Sequence, residues 1–129
     1  ETLGVPVITF GADEFPAFWS RSSGLASPLR LDDPADIARA LDTRAAMGLP
    51  GGQLVANPIP EADEIARAEM LPIVEAALAE AARQSIQAKQ VTPFLLEHIF
   101  HATGGRSLTA NIALVRNNAR LAARIARAH

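Results

Sequence analysis

Short apolar runs alternate with an amphipathic segment along the first 60 residues of the chain. Residues 5–10 are almost wholly apolar, which is typical of a strand covered on both faces in a parallel sheet. Residues 29–31 and 53–56 predict two further short strands. Between them Asp33 is placed to cap a helix that Gly48 ends. This order of strand, helix and strand predicts an α/β protein.

Three more helices follow in the second half of the chain. The first is predicted at about residues 69–84, where Pro72 is tolerable only in the first turn. Thr92 is predicted to cap the second helix, and Ser107 is predicted to cap the last one, which runs from Leu108 to about Ala128. The side chains predicted to face inward are Ile73, Ala77, Leu78 and Ala81 in the first helix, and Phe94, Leu95, Ile99 and Ala102 in the second.

The last helix carries two apolar rows, and a helix that is apolar on two sides is buried between layers or against a partner. The fold class is therefore α/β, with few strands and about four to five helices. Because two or three strands make a poor sheet alone, we expect a further N-terminal part to complete it. The first row is Leu108, Ile112, Val115, Ala119, Ala122 and Ala126, and the second is Leu114, Leu121 and Ile125.

Composition fits one packed domain, because 49% of the 129 residues are hydrophobic and 20% are charged. The net charge of −2 gives no general attraction to nucleic acid or to membranes. No apolar run reaches the roughly 20 residues that span a bilayer. Without cysteine and without a signal peptide, the chain is expected to be cytoplasmic. It lacks an initiator methionine, so we expect it to begin inside a longer protein or after processing.

Residues 13–24 form an irregular segment in which carboxylates, aromatic rings and hydroxyls are mixed. The adjacent Asp13 and Glu14 would suit acid–base work or metal binding, but solvated loop charges are the more ordinary explanation. Arg21 with Ser22 and Ser23 could hold a phosphate, and an exposed turn is the alternative.

Two other segments of the second half combine polar groups on a helix. At residues 104–107 a helix start with Arg106 could bind an anion, or could be a plain turn. Glu97 and His101 have the spacing of two metal ligands but no third partner, so no metal site is predicted.

Asn111 and Asn118 lie seven residues apart, on one face of the last helix. An amide offers a donor and an acceptor together, which suits the edge of a nucleobase. The alternative is that each amide caps a neighbouring element.

Eight segments of the chain together carry a family resemblance, at residues 4–8, 13–18, 20–24, 48–52, 56–60, 91–96, 103–108 and 111–119. They read GVPVI, DEFPAF, SRSSG, GLPGG, ANPIP, VTPFLL, TGGRSL and NIALVRNNA. In order and spacing they resemble the pseudouridine-5′-phosphate glycosidases, also called the indigoidine synthase A-like family. The resemblance covers essentially the whole chain. Trp19 departs from it, since Tyr or Phe is usual there.

The resemblance implies that residues 1–129 are the C-terminal portion of an α/β/α sandwich enzyme. Such enzymes are lyases that reversibly cleave the C–C glycosidic bond of pseudouridine 5′-phosphate, giving uracil and ribose 5-phosphate. They are homotrimers that use a divalent cation, typically Mn²⁺. Their catalytic lysine and glutamate and their metal-binding aspartate belong to the N-terminal half. This chain is therefore assigned no catalytic or metal-binding residue, and alone it is expected to be inactive.

Two substrate-binding residues carry over from the family pattern. Asn111, in the NIALV segment, is expected to contact uracil, and Asn57 is expected to shape the rim of the pocket. The alternatives are a non-catalytic interaction domain that docks through the last helix, and an anion-binding module at Arg106.

Overall fold

The computed structural model describes residues 4–129, which form a small parallel sheet and four α-helices. This confirms the predicted α/β class. The strands are β1 (Val7–Phe10), β2 (Arg30–Leu31) and β3 (Leu54–Ala56). The helices are α1 (Pro34–Ala46), α2 (Arg67–Arg83), α3 (Val91–Ala102) and α4 (Arg106–Ala128). Short 3₁₀ turns lie at Glu61–Asp63 and Ala88–Gln90.

The sheet has the order β2-β1-β3, and both pairings are parallel. β1 is therefore the central strand, with Thr9 opposite Arg30 and Ile8 opposite Val55. Ile8 and Thr9 are buried, as expected for a strand covered on both faces. Because parallel strands end at the same edge, Phe10 and Ala56 bring the segments that follow them close together.

One of the three predicted helix caps is confirmed. The Asp33 carboxylate accepts the backbone N–H of Ala35 at 2.9 Å and so caps α1. Thr92 does not cap α3, because the 3₁₀ turn before it leads directly into Val91 and no side chain caps that end.

The prediction that Ser107 caps α4 is also wrong, because the cap position is Gly105, with φ of +86°. Such a φ is adopted readily by glycine and rarely by other residues. Ser107 is instead buried inside the first turn. Its backbone N–H donates to the Thr103 hydroxyl at 3.1 Å, and that hydroxyl donates to the Ile99 carbonyl at 2.8 Å. The Thr103 side chain at the end of α3 therefore accepts a backbone N–H that has no partner within the first turn of α4.

α2 begins two residues earlier than predicted, which places Pro72 in its second turn. Proline lacks the N–H that would bond to the carbonyl four residues before it. That carbonyl belongs to Ala68, close to the helix start, so the ladder loses one bond near its end.

The main hydrophobic core lies where α2, α3 and α4 meet the segment that follows β3. Trp19, Ile73, Val74 and Leu95 pack against it from the side. Two inward predictions are wrong: Leu78 is 48% exposed, and Ala102 is exposed at the end of α3. The buried members of the core are Ile59, Ile65, Met70, Ala77, Ile99, Ala110 and Leu114.

The described residues cover only one of the two apolar rows of α4. In the second row Leu114 and Leu121 are buried. In the first row Leu108 is 49% exposed, Ile112 45% and Val115 60%. The uncovered row is an apolar surface along the longest helix of the chain.

Glu14 holds together the loop between β1 and β2. Its carboxylate accepts the Ser22 hydroxyl and the backbone N–H of Gly24, the latter at 2.9 Å. These hydrogen bonds, that from Ser22 first, lower the pKa of Glu14 below its usual 4.5. Loop residues Trp19 and Arg21 thereby gain a defined position beside the helices.

We expect the change Thr103→Val to destabilise the protein by about 1–3 kcal/mol, because it leaves the buried N–H of Ser107 without its acceptor. Valine keeps the branched shape, so packing changes little. Urea unfolding gives the free energy. The matched control is Thr109→Val at an exposed position of α4, expected to cost less than about 0.5 kcal/mol. Equal losses in the two variants would contradict this role of the hydroxyl.

A second prediction concerns pH. Because the pKa of Glu14 is lowered by folding, its charge stabilises the native loop above pH 4.5, and that stabilisation is lost as the pH falls through the lower folded value. We expect Glu14→Gln to be less stable than the wild type at pH 7, with a gap that closes below pH 4.5. Urea unfolding from pH 7 to pH 3 measures it, with Glu75→Gln at an exposed site as the control. A gap that is constant with pH would refute the charge effect.

Candidate functional site

The carboxyl ends of β1 and β3 enclose a cavity of about 260 Å³, here called the strand-end cavity. In open α/β sheets ligands bind at this edge, because the loops that follow the strands meet there. Its lining residues are Phe10, Gly11, Arg21, Asn57, Pro58 and Asn117.

Arg21 reaches the strand-end cavity in a fixed position. Its Nη1 donates to the carbonyl of Ile59 at 2.6 Å, and its backbone N–H donates to Glu64 Oε1 at 2.7 Å. The hydroxyls of Ser22 and Ser23 donate within the loop, to Glu14 and to the Phe15 carbonyl. The three residues therefore do not form the joint phosphate cradle considered from the sequence.

Asn111 lies in a separate groove of about 240 Å³ between α3 and α4, here called the Asn111 groove. One wall is the indole of Trp19, whose Nε1 donates to the Ser107 carbonyl at 3.1 Å. Phe18 packs edge-on against that ring, with 4.5 Å between the centroids. The lining residues are Trp19, Leu96, Glu97, Phe100, Ser107, Leu108 and Asn111.

The chemistry of the Asn111 groove suits a flat ring with a polar edge. Trp19 and Phe100 offer aromatic surface, and the half-buried Asn111 amide offers a donor and an acceptor together. Glu97 adds an acceptor at the rim. Sequence spacing pointed to Asn111 but gave no signal that Trp19 shares its groove.

Asn57 does not share a cavity with Asn111. Its Nδ2 donates to Oδ1 of Asn118 at 3.1 Å, which ties the end of β3 to α4. Asn118 lies seven residues along α4 from Asn111, or roughly 10 Å at the rise of an α-helix. The structure thus sets the two predicted binding residues about two helical turns apart, and the role of each stays a prediction.

A third cavity, of about 510 Å³, lies between α1, β3 and α4 and is here called the Gln53 cavity. Gln53 donates from Nε2 to the Ile37 carbonyl at 3.2 Å. Its Oε1 is buried, and no hydrogen-bond donor among residues 4–129 reaches it. Sequence reasoning missed this residue, because a single glutamine beside a glycine-rich turn carries no distinctive signal. Apolar side chains make up most of the lining, namely Ile37, Leu41, Val55, Leu121, Ala122, Ile125 and Ala126.

The groups considered for anion binding at the start of α4 are otherwise engaged. Arg106 pairs with Glu69, and the N–H of Ser107 is taken by Thr103. Across residues 4–129 no three His, Cys, Asp or Glu side chains come together as metal ligands do. Among the helices of the same residues, none combines the length and apolar character of a membrane span.

Comparison with known proteins finds closely similar sequences. The chain is 70% identical over 128 residues to a pseudouridine-5′-phosphate glycosidase of Paracoccus denitrificans, with 99% of this chain and 42% of that protein covered. It is 62% identical to the enzyme of the same name from Roseobacter denitrificans, with 99% and 41% covered. The chain thus spans about two-fifths of the length of these relatives.

Solved structures share the fold. A prealnumycin C-glycosynthase in complex with ribulose 5-phosphate superposes with a TM-score of 0.87 at 31% identity, over 98% of this chain and 42% of that one. An indigoidine synthase A-like protein of Thermotoga maritima gives 0.84 at 37% identity, over 97% and 41%. The model of the family described as indigoidine synthase A like protein matches residues 1–128. This chain therefore belongs to the indigoidine synthase A-like family.

Proposed function

We propose that this chain is the C-terminal portion of a pseudouridine-5′-phosphate glycosidase, which reversibly cleaves the C–C bond between uracil and ribose 5-phosphate. The observation that carries the proposal is the 70% identity, over nearly the whole chain, to a relative of that name. The solved C-glycosynthase adds chemical support, because its ligand is also a five-carbon sugar phosphate.

Within that enzyme the chain would supply the wall that holds the base. The Asn111 amide would donate to a uracil carbonyl and accept from a ring N–H. Trp19 and Phe100 would provide aromatic surface beside the uracil ring. Trp19 is held by its bond to Ser107, so the groove is formed before the base enters. Such preorganisation lowers the entropic cost of binding.

The covalent and acid–base chemistry would belong to the rest of the enzyme. In this proposal a lysine, a glutamate and a metal-binding aspartate of its N-terminal half would carry out that chemistry, as the family resemblance implies. Among residues 4–129 no three suitable ligands come together, so the described part of this chain gives no support for a manganese site of its own. Manganese would therefore be held outside this chain, in a homotrimeric cytoplasmic enzyme.

A non-catalytic interaction domain is the second candidate. The uncovered apolar row at Leu108, Ile112 and Val115 favours a protein partner. The anion-binding alternative has less support, because Arg106 is paired with Glu69. Uracil release by the completed enzyme would separate the first two candidates.

We expect Asn111→Ala to lower turnover of pseudouridine 5′-phosphate by about tenfold or more, because one or two hydrogen bonds to the base are lost. The assay measures uracil release by this chain coexpressed with the remaining part of the Paracoccus denitrificans relative. Thr109→Ala, at an exposed position on the same helix, is the control and should keep its rate. Unchanged turnover in Asn111→Ala, at an unchanged melting temperature, would refute the assignment.

We expect the metal dependence of uracil release to come from the remaining part of the enzyme and not from this chain. We expect Mn²⁺ to leave the melting temperature of this chain alone unchanged, because its described residues offer no ligand cluster. The coexpressed assembly should lose uracil release in EDTA and regain it on addition of Mn²⁺. A rise in the melting temperature of the isolated chain with Mn²⁺ would show a site that this interpretation denies.

A further inference from the structure

Phe18 and Trp19 form the tip of a tight turn in the loop that follows β1. The backbone N–H of Ala17 donates to the Ser20 carbonyl at 2.9 Å, and the N–H of Ser20 donates to the Ala17 carbonyl at 3.0 Å. Two residues thus connect the paired positions, and the favoured turns of this length place a positive φ at the first of them. That residue is Phe18, with φ of +50°.

Phenylalanine is an unfavourable choice for this backbone position. Glycine adopts a positive φ readily, whereas a side chain there brings its β-carbon too close to the following carbonyl oxygen. Burial offsets only part of this cost, because Phe18 is 46% exposed. Strained residues persist where their surroundings fix them, and they cluster at functional sites. The strain therefore directs attention to what the Phe18 ring does.

The turn is fixed against the segment that precedes α2. The backbone N–H of Ile65 donates to the Trp19 carbonyl at 3.0 Å. The hydroxyl of the buried Ser20 donates to the Ile65 carbonyl at 2.7 Å. These two hydrogen bonds hold the turn in place although Phe18 is strained.

The Trp19 indole is attached at two points, and Phe18 adds a third contact. The backbone bond to Ile65 anchors one end of the residue, and the bond from Nε1 to the Ser107 carbonyl, at 3.1 Å, anchors the other. A flat ring held at two points can still tilt about the line that joins them. The Phe18 ring meets the indole edge-on, with 4.5 Å between the centroids and 72° between the planes. This is a favoured aromatic geometry, and it opposes the tilt.

We propose that Phe18 is a positioning residue that sets the tilt of the Trp19 indole in the Asn111 groove. Phe18 does not line that groove, so it acts on a bound ring through Trp19. The role rests on the proposed function, in which the groove receives uracil. A glycine at this position would relax the backbone, but it would leave the indole without its third contact.

Fluorescence tests the positioning directly, because Trp19 is the only tryptophan of the 129 residues. Time-resolved anisotropy of the chain reports the motion of the indole on the nanosecond scale. We expect Phe18→Gly to show a fast loss of anisotropy that the wild type lacks, at a nearly unchanged melting temperature. Phe18→Tyr keeps the ring edge and should restore the slow decay.

The matched control is Ala88→Gly. Ala88 is an exposed residue that also has a positive φ, of +51°, but it lies in the 3₁₀ turn before α3. Its replacement relaxes the backbone in the same way without removing an aromatic ring. It should leave the anisotropy of Trp19 as in the wild type.

Kinetics test the consequence for the substrate, in the chain coexpressed with the remaining part of the Paracoccus denitrificans relative. Phe18→Gly should raise the KM for pseudouridine 5′-phosphate by about two- to tenfold, the range expected for one aromatic contact. Its kcat should change little, because the indole would contact the base equally before and during bond cleavage. Phe18→Tyr should restore the KM, and Ala88→Gly should keep it.

Either of two results would overturn the proposal: unchanged anisotropy in Phe18→Gly, or a lower melting temperature with an unchanged KM, which is the pattern of a purely structural residue. Circular dichroism checks the fold of each variant. If Phe18→Gly does not fold, Phe18→Leu decides the case, because it keeps the apolar bulk and loses the aromatic edge. A wild-type assembly that releases no uracil would count against the proposed function, and the anisotropy alone would then decide the role of Phe18.

Discussion

The buried junction between α3 and α4 is the constraint on which the described site depends. Thr103 accepts the backbone N–H of Ser107, and the carbonyl of the same serine accepts the indole N–H of Trp19. Two backbone groups at one helix start thus fix both the path of α4 and the position of the loop that follows β1. The groove that holds Asn111 exists because these two attachments meet at one residue.

Much of the fold could be predicted from local sequence. The apolar period located all four helices, and Asp33 was a reliable cap because its carboxylate acts within its own turn. The predicted cap at Ser107 was wrong because composition at a helix start does not reveal a competing acceptor such as Thr103, which comes from the preceding helix. The predicted cap at Thr92 was wrong because the 3₁₀ turn before it leads directly into Val91. The predicted burial of Leu78 and Ala102 was wrong for a related reason. Periodicity defines a face of a helix without saying where the neighbouring element that covers it ends.

The site was less predictable than the fold. Asn111 was singled out by its motif, but its groove depends on Trp19, which lies more than ninety residues earlier in the chain. Gln53 gave no signal, because an unpaired oxygen is a property of three-dimensional surroundings. The reaction proposed for the chain rests on its family and not on the geometry of the described residues. The geometry shows a groove beside Asn111, and among the described residues no three side chains come together as metal ligands do.

The uncovered apolar row of α4 has a consequence for the tendency of the chain to self-associate. Leu108, Ile112 and Val115 lie on a helix that also carries exposed Arg116 and Arg120. Positive charges beside an apolar stripe act as gatekeepers, because bringing two such helices together also brings like charges together. The arginines therefore oppose self-association through the stripe for as long as no other surface covers it.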